Sequence, residues 1–279
     1  MTFSDFARCN GLRIDNLYAS DKIQRCSTES HPHKKNAAYF WDGLKGFIFD
    51  WAGDARTLWF NAPNANPWTD AEKRAYGLRN AQQSANKDKD YALAACKAKT
   101  MLSNAELTAH SYLEYKGFDI KGFVLGNELL IPMRDFKTNN LQTLQRIFLI
   151  NNEFEKKMLS GGKAKGAVHV LGNRSASELI FCEGYATGLS IKLAADSVGL
   201  NMAVVVCFSA GNMTYVARGM SGIRYIYADY DKSFAGENAA IATGLPYIMS
   251  DTLGNDANDD QKQNGIFYVA QKLMEVRLK

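Results

Sequence analysis

Three acids stand where their types and spacing suit chemistry on phosphate. Glu183 follows the apolar run Leu179-Ile180-Phe181-Cys182 and precedes Gly184. Asp229 and Asp231 follow a second such run, Ile223 to Ala228. Residues two apart in an extended chain share a face, so Asp229 and Asp231 address one spot. Carboxylates gathered there repel one another and resist desolvation. A hard divalent cation resolves that conflict, and Mg²⁺ takes one or two carboxylates together with phosphate oxygens and water. Metal held in this way supports in-line phosphoryl transfer by neutralising charge on the attacking and leaving oxygens. An isolated Asp-x-Asp after a strand is usually a turn or a helix cap. The weight lies in the combination on two β–α units, with Gly184 and Gly236 leaving room for phosphate.

Two strand tips meet only in a sheet that brings them to one edge. Glu178 to Cys182, Met202 to Phe208, Ile223 to Ala228 and Pro246 to Met249 read as strands. Thr187 to Val198, Asn212 to Met220 and Gly236 to Thr243 between them have helical spacing. Apolar strands alternating with helices predict a parallel sheet covered on both faces. The site of such a sheet lies beyond the carboxyl ends of its strands, near a switch in strand order. Upstream, Glu128 to Met133 and Leu141 to Phe148 read as a hairpin turning through 134–140, and a Gly-rich basic segment runs from Lys156 to Gly166. Residues 70–102 are rich in Ala, Lys, Gln, Asn and Asp and predict a long polar helix or helix pair, with Thr69 or Asp70 capping it and Glu72 completing a capping box. Tyr39, Phe40, Trp41, Phe47, Phe49, Trp51, Trp59 and Phe60 mark a small, largely β module at the front. The expected divisions are 1–65 for that module, 66–108 for a polar helical linker, 109–175 for a basic α+β part and 176–279 for the parallel-sheet domain.

Composition narrows the classes. With 279 residues, 46% apolar and 22% charged, the chain is ordinary globular protein of about two domains. A net charge of +4 permits a polyanionic partner without demanding one. Five cysteines, Cys9, Cys26, Cys96, Cys182 and Cys207, show no paired spacing, so a reducing cytoplasm is expected rather than a disulfide framework. Met1 to Arg13 lacks a signal-peptide pattern, and the most apolar stretch, Met202 to Phe208, is too short to span a bilayer. Gly161 to Gly166 is not a Walker A loop, because Lys-Ser/Thr does not follow it, and no other ATPase signature is present.

Glu183-Gly184-Tyr185 after a strand, then Asp229-x-Asp231 with Ala235-Gly236-x-x-Ala239-Ala240, resembles the Toprim domain of bacterial and phage primases. That Rossmann-like fold also serves type IA and type II topoisomerases, recombination-mediator proteins and some nucleases. Leu130 to Asp135, Leu144-Gln145-Arg146, Lys157-Met158-Leu159-x-Gly161-Gly162, Phe208 to Met213 and Asp256-Ala257-Asn258-Asp259 look like phage- and plasmid-encoded primases. The resemblance implies Glu183 as general acid/base or metal ligand, Asp229 and Asp231 as metal ligands, and two Mg²⁺ or Mn²⁺ ions. Asp256 and Asp259 are further metal candidates, with a polar helix start as the other reading. Arg134, Arg146, Lys157, Lys163, Lys165, Gly184, Lys232 and Gly236 would contact nucleic acid or nucleotide, the lysines and arginines replacing counterions on a phosphate backbone. The expected activity is short RNA primer synthesis from ribonucleoside triphosphates on single-stranded DNA of a mobile element, in a bacterial cytoplasm, with a separate helicase. A Toprim nuclease using the same metals and a non-catalytic module binding single-stranded DNA or a replication partner are the alternatives. Two departures stand out: Ser209 replaces an acid common in the relatives, and Cys26, His31, His33 and the distant Cys9 lack structural-zinc spacing, so zinc is not expected.

Overall fold

The computed structural model describes residues 1–50, 57–63, 65, 70–232 and 234–279. Trp51 and the capping residue Thr69 therefore lie outside the described residues. The chain divides into two compact units, Met1–Asn80 and Ala81–Lys279.

In the first unit, α1 (Phe3–Cys9) precedes β1 (Leu12–Arg13), β2 (Gln24–Thr28), β3 (Ala37–Trp41), β4 (Lys45–Asp50) and β5 (Thr57–Asn61). The strands pair in sequence order, each antiparallel to the last. Strand alternation sends Tyr39, Ile48, Phe60 and Cys26 to one face, where Phe3 and Ala7 of α1 cover them. The Phe3 ring stacks on Trp41 at 4.7 Å and meets Phe60 edge-on at 5.6 Å, an arrangement favoured by ring quadrupoles. Burial among these groups pushes the Cys26 thiol up to about 11. A long helix, α2 (Asp70–Ser103), begins in this unit and ends in the next.

The second unit continues with β6 (Glu106–Thr108), α3 (Ser111–Tyr115), β7 (Gly122–Leu125), β8 (Glu128–Asp135), β9 (Leu141–Ile150), β10 (Glu153–Met158) and β11 (Ala167–Leu171). After them come β12 (Glu178–Cys182), α4 (Tyr185–Ser197), β13 (Met202–Val206), α5 (Ala210–Gly219), β14 (Ile223–Ala228), α6 (Ala235–Thr243), β15 (Tyr247–Met249), α7 (Ala257–Asn264) and α8 (Ile266–Arg277). All ten strands form one sheet, with main order β10-β9-β8-β11-β13-β12-β14-β15 and β7 and β6 attached beside β8. The expected parallel sheet is present as β13-β12-β14-β15. It is not free-standing: β11, antiparallel to both β8 and β13, welds it to the antiparallel half. The basic segment differs from its Gly-rich reading, because Lys156 and Lys157 belong to β10 and pair with Ile147 and Arg146 of β9.

Helices cover both faces of this sheet. α4, α7 and α8 bury Ile191, Ala194, Val269 and Leu273 against Ile180, Val204 and Tyr227. α5 and α6 bury Met213, Val216 and Ala240 against Phe181, Val205 and Ile226 on the other side. The central strands are buried on both faces, which is why they read as continuous apolar runs rather than alternating ones. Arg277 closes the far end of the domain, its guanidinium donating to both carboxylate oxygens of Glu178 at 2.8 and 2.9 Å.

Candidate active site

Strand order places the acids. β12 lies between β13 and β14, and the chain leaves it through α4 on one face, then passes to the other face for α5 and α6. Connections diverging from neighbouring parallel strands open a crevice at their carboxyl ends. Glu183 follows β12, and Asp229 follows β14, whose residues run in register with β12 up to Phe181 opposite Ile226.

Main-chain bonds hold Glu183 beyond the strand end. Cys207 N–H donates to Cys182 O and Phe208 N–H to Glu183 O, each at 2.9 Å. Phe208 then takes a positive φ of 65°, a rare conformation for a bulky residue, which turns the chain into α5. Ser209 caps that helix, its hydroxyl accepting from Asn212 N–H. Glu183 accepts a hydrogen bond from the Ala210 N–H in the helix's first turn. Its carboxyl is nonetheless raised above the ordinary value, first by burial and then by Asp231.

Asp229 is the most perturbed of the acids. Burial, then the charges of Asp256, Glu183 and Asp231, push its carboxyl up to about 7. Its Oδ1 is buried with no hydrogen-bond partner among the described residues. The loop carrying it is fixed from the side: Tyr230 N–H donates to Asn255 O at 3.3 Å, and Gly254 N–H donates to Tyr230 O at 2.6 Å. A Cβ on Gly236 would stand 2.7 Å from Asp229 O and 3.0 Å from Asp229 N. The room left by this glycine is thus filled by the Asp229 backbone, letting α6 start against the acid loop. Gly184 is the N-cap of α4, and a Cβ there would meet Thr187 Oγ1 at 2.9 Å.

Asp256 joins the cluster from α7. Its Oδ1 accepts from Asn258 and Asp259 N–H at 2.7 and 3.0 Å, and its Oδ2 accepts from the Thr187 hydroxyl at 2.9 Å. Asp259 closes the reciprocal capping box by accepting from Asp256 N–H. Asp256 therefore combines helix capping with a charge felt at Asp229, whereas the Asp259 carboxylate serves the cap. Residue reading missed the next acid, Asp260. It is fully buried and accepts from Ser250 Oγ at 2.7 Å, Tyr227 Oη at 3.1 Å and Asn255 Nδ2 at 3.3 Å. Through Asn255 it braces the loop that holds Tyr230.

The basic candidates divide between two faces. In β9 and β10, Ile147 and Phe154 face the core beside Tyr112 of α3, whereas Leu144, and Leu159 just past β10, face α2. Alternation puts Lys156 on the first side and Lys157 and Arg146 on the second. Arg146 is held by Glu128, its Nε donating to Oε2 at 2.7 Å, and Lys157 pairs with Glu155 at 2.5 Å. Lys156 instead lies on the side of α3. Its ammonium lies over the Tyr112 ring at 5.7 Å and feels Asp256, Asp229 and Asp259. The residue is exposed, and desolvation, with Lys116 next, lowers its pKa against the pull of those acids. Exposed Lys165 lies 4.7 Å from the Tyr215 ring centroid on α5, and exposed Arg134 donates to Asn139 O at 3.2 Å. Lys163 and Lys232 are exposed. A Cβ on Gly162 would clash with Thr143, so that glycine serves turn packing. His110 caps α3 through Nδ1, and His169 bonds Pro132 O.

Among the described residues, no group of three or more His, Cys, Asp or Glu side chains is placed to hold a metal ion, so Glu183, Asp229, Asp231, Asp256 and Asp259 are not brought together as a ready ligand set. The acids act on one another through space around an oxygen left without a partner. An all-oxygen donor set with an unpartnered buried carboxylate oxygen fits a hard cation such as Mg²⁺ or Mn²⁺, and it offers no thiolate for a soft one.

Residues 178–266 match the family model described as the Toprim domain. Among solved structures, the chain is similar to the RNA polymerase domain of Mycobacterium tuberculosis primase DnaG. The match is at 15% identity and a TM-score of 0.36, over 74% of this chain and 77% of that one. No curated protein matches the sequence. No helix among the described residues is long and apolar enough to cross a membrane.

Proposed function

We propose that the chain is a primase-like nucleotidyltransferase that joins ribonucleotides into short primers on single-stranded DNA. The observation that supports this reading is that Glu183 and Asp229 follow two neighbouring parallel strands within the segment matching the Toprim family model, with the buried Asp229 Oδ1 lacking a hydrogen-bond partner among the described residues. Glu183, Asp229, Asp231 and Asp256 would hold divalent cations. When bound, those ions neutralise charge on the attacking 3′-oxygen and on the triphosphate.

The chain's own groups prepare that step. Burial raises Asp229 to about 7 and Glu183 in the same direction, and positive charge arriving beside them would pull both back down. Glu183, anchored by the Ala210 N–H, is placed to accept the proton of the attacking hydroxyl. The fixed Tyr230 backbone and the Gly236 contact keep Asp229 in place, so little reorganisation accompanies reaction. Residues 109–175 would guide the template, with Arg134, Lys163 and Lys165 giving affinity without sequence preference. Asp259, Lys232, Gly184, Arg146 and Lys157 would support the same site less directly. A separate helicase would open the duplex, and a phage or plasmid origin with action in the host cytoplasm goes with this reading.

The test is primer synthesis on single-stranded DNA with labelled ribonucleotides and Mg²⁺ or Mn²⁺. The account expects short labelled products that vanish with Asp229→Ala plus Asp231→Ala. Activity unchanged in that double variant refutes it. Cleavage of the DNA in place of synthesis reassigns the same acids to a nuclease.

A further inference from the structure

A cavity away from the acids opens where the ladder between β8 and β11 stops. Only Asp135 with Ala167 and Arg134 with Val168 pair across these strands, beside a register irregularity at Met133 and Arg134. Pro132 has no N–H to give, and its carbonyl accepts from the His169 side chain, at 3.0 Å from Nδ1, rather than continuing the ladder. The strands part there around a cavity of about 330 Å³, whose lining includes Phe123, Pro132, Arg134, Asn139, Val168 and Arg174.

Two guanidiniums on its rim reach the same residue. Arg134 Nη1 donates to Asn139 O at 3.2 Å, and Arg174 Nη1 donates to Asn139 Oδ1 at 3.1 Å. Arg174 is fixed further by the carbonyls of Asp135 and Phe136. Asn139 takes its place at a φ of 62°, a left-handed conformation that asparagine tolerates better than most residues. No described acid lines the cavity, and among the described residues neither arginine bonds a carboxylate. Asp135, in the same turn, spends one carboxylate oxygen on the N–H groups of Lys137 and Thr138 and the other on Gln142. Gathering two like charges on one asparagine costs free energy that a bound anion would offset. A guanidinium carries five N–H donors, and the fork of Arg134 gives only one of them to Asn139. Such a fork matches the oxygens of phosphate. Phe123, 42% exposed, adds an aromatic surface of the kind on which bases stack.

We propose that this cavity is a nucleotide site, in which Arg134 and Arg174 hold a phosphate group and Phe123 receives the base. It goes beyond the primer-synthesis reading, since it needs neither the acids nor a metal ion. The test uses the full chain in EDTA, so that no metal-dependent site contributes. The probes are a labelled single-stranded oligodeoxynucleotide, followed by fluorescence anisotropy, and ATP, followed by calorimetry. Arg134→Gln is expected to weaken binding of at least one probe by about tenfold. Asn139→Gly, which keeps the left-handed backbone and removes only the Oδ1 acceptor, is expected to weaken the same probe with the melting temperature held. Lys87→Gln plus Lys89→Gln, which takes two charges from the exposed surface of α2, is expected to leave both affinities unchanged. Weakening confined to the oligonucleotide identifies a strand phosphate as the ligand, and weakening of ATP identifies the free nucleotide. Neither probe weakened by Arg134→Gln, or both α2 lysines mattering as much as Arg134, overturns the proposal.

Discussion

Asp229 is held in the folded chain with its proton affinity raised to about 7, from an ordinary aspartate value when unfolded. A raised folded pKa gives stability that is present at low pH and lost as pH rises through about 7. Without divalent metal, the protein should therefore lose stability between about pH 4 and pH 8 on account of this group. Asp229→Asn, which keeps the shape and removes the charge, should be more stable than the parent in EDTA at pH 8 by about 4 kcal/mol, with the gap closing toward pH 4. Unfolding melts across that range check it. The acids at 183, 229 and 231 were legible in the residues, because each follows an apolar run whose end is plain. The faces taken by Lys156 and Lys157 were not, since two adjacent lysines are equivalent until strand register sends them to opposite sides of the sheet. Asp260 was hidden for a related reason. It lies in the polar run Asn258-Asp259-Asp260-Gln261-Lys262, and only the packing of α7 beside Tyr227 of β14 buries it.

At the scale of elements, α6 and α7 aim the acids. Gly236→Ala would drive a methyl group into the Asp229 backbone, so it should cost about 1–3 kcal/mol in denaturant unfolding and displace the acid loop. Gly211→Ala, in the first turn of α5 with open space around its missing Cβ, is the control and should cost little. Asp260→Ala would strand three donors, from Tyr227, Ser250 and Asn255, and should destabilise by about 2–4 kcal/mol in the same measurement. The β12 and β14 spans were readable to the residue, because strands buried on both faces have no polar alternation to confuse them. β11 escaped notice. Ala167 to Leu171 follows Gly166 with His169 in its middle, and what makes it a strand is the gap between β8 and β13 that it fills.

Over the whole chain, the ten-stranded sheet is the organising device. Within the second unit it carries the segment that matches the Toprim family model at one end and the antiparallel hairpins at the other, so residues 109–175 and the acids after β12 and β14 share a single frame. Affinity for single-stranded DNA should depend on cations open to solvent rather than on those already committed to acids. Lys163→Ala plus Lys165→Ala should weaken binding and flatten the salt dependence by about 0.7 for each phosphate no longer neutralised. Arg146→Ala should mainly destabilise the fold by freeing Glu128. Fluorescence anisotropy over a salt series separates the two outcomes.

The central claim is that acids from separate strand tips form one cation site. Anomalous diffraction from crystals soaked with Mn²⁺ and a ribonucleoside triphosphate tests it most directly. The account predicts a manganese peak coordinated by Asp229 with Glu183, Asp231 or Asp256, bridging to phosphate oxygens. Nucleotide bound elsewhere, or manganese absent from Asp229 at saturating concentration, would contradict it.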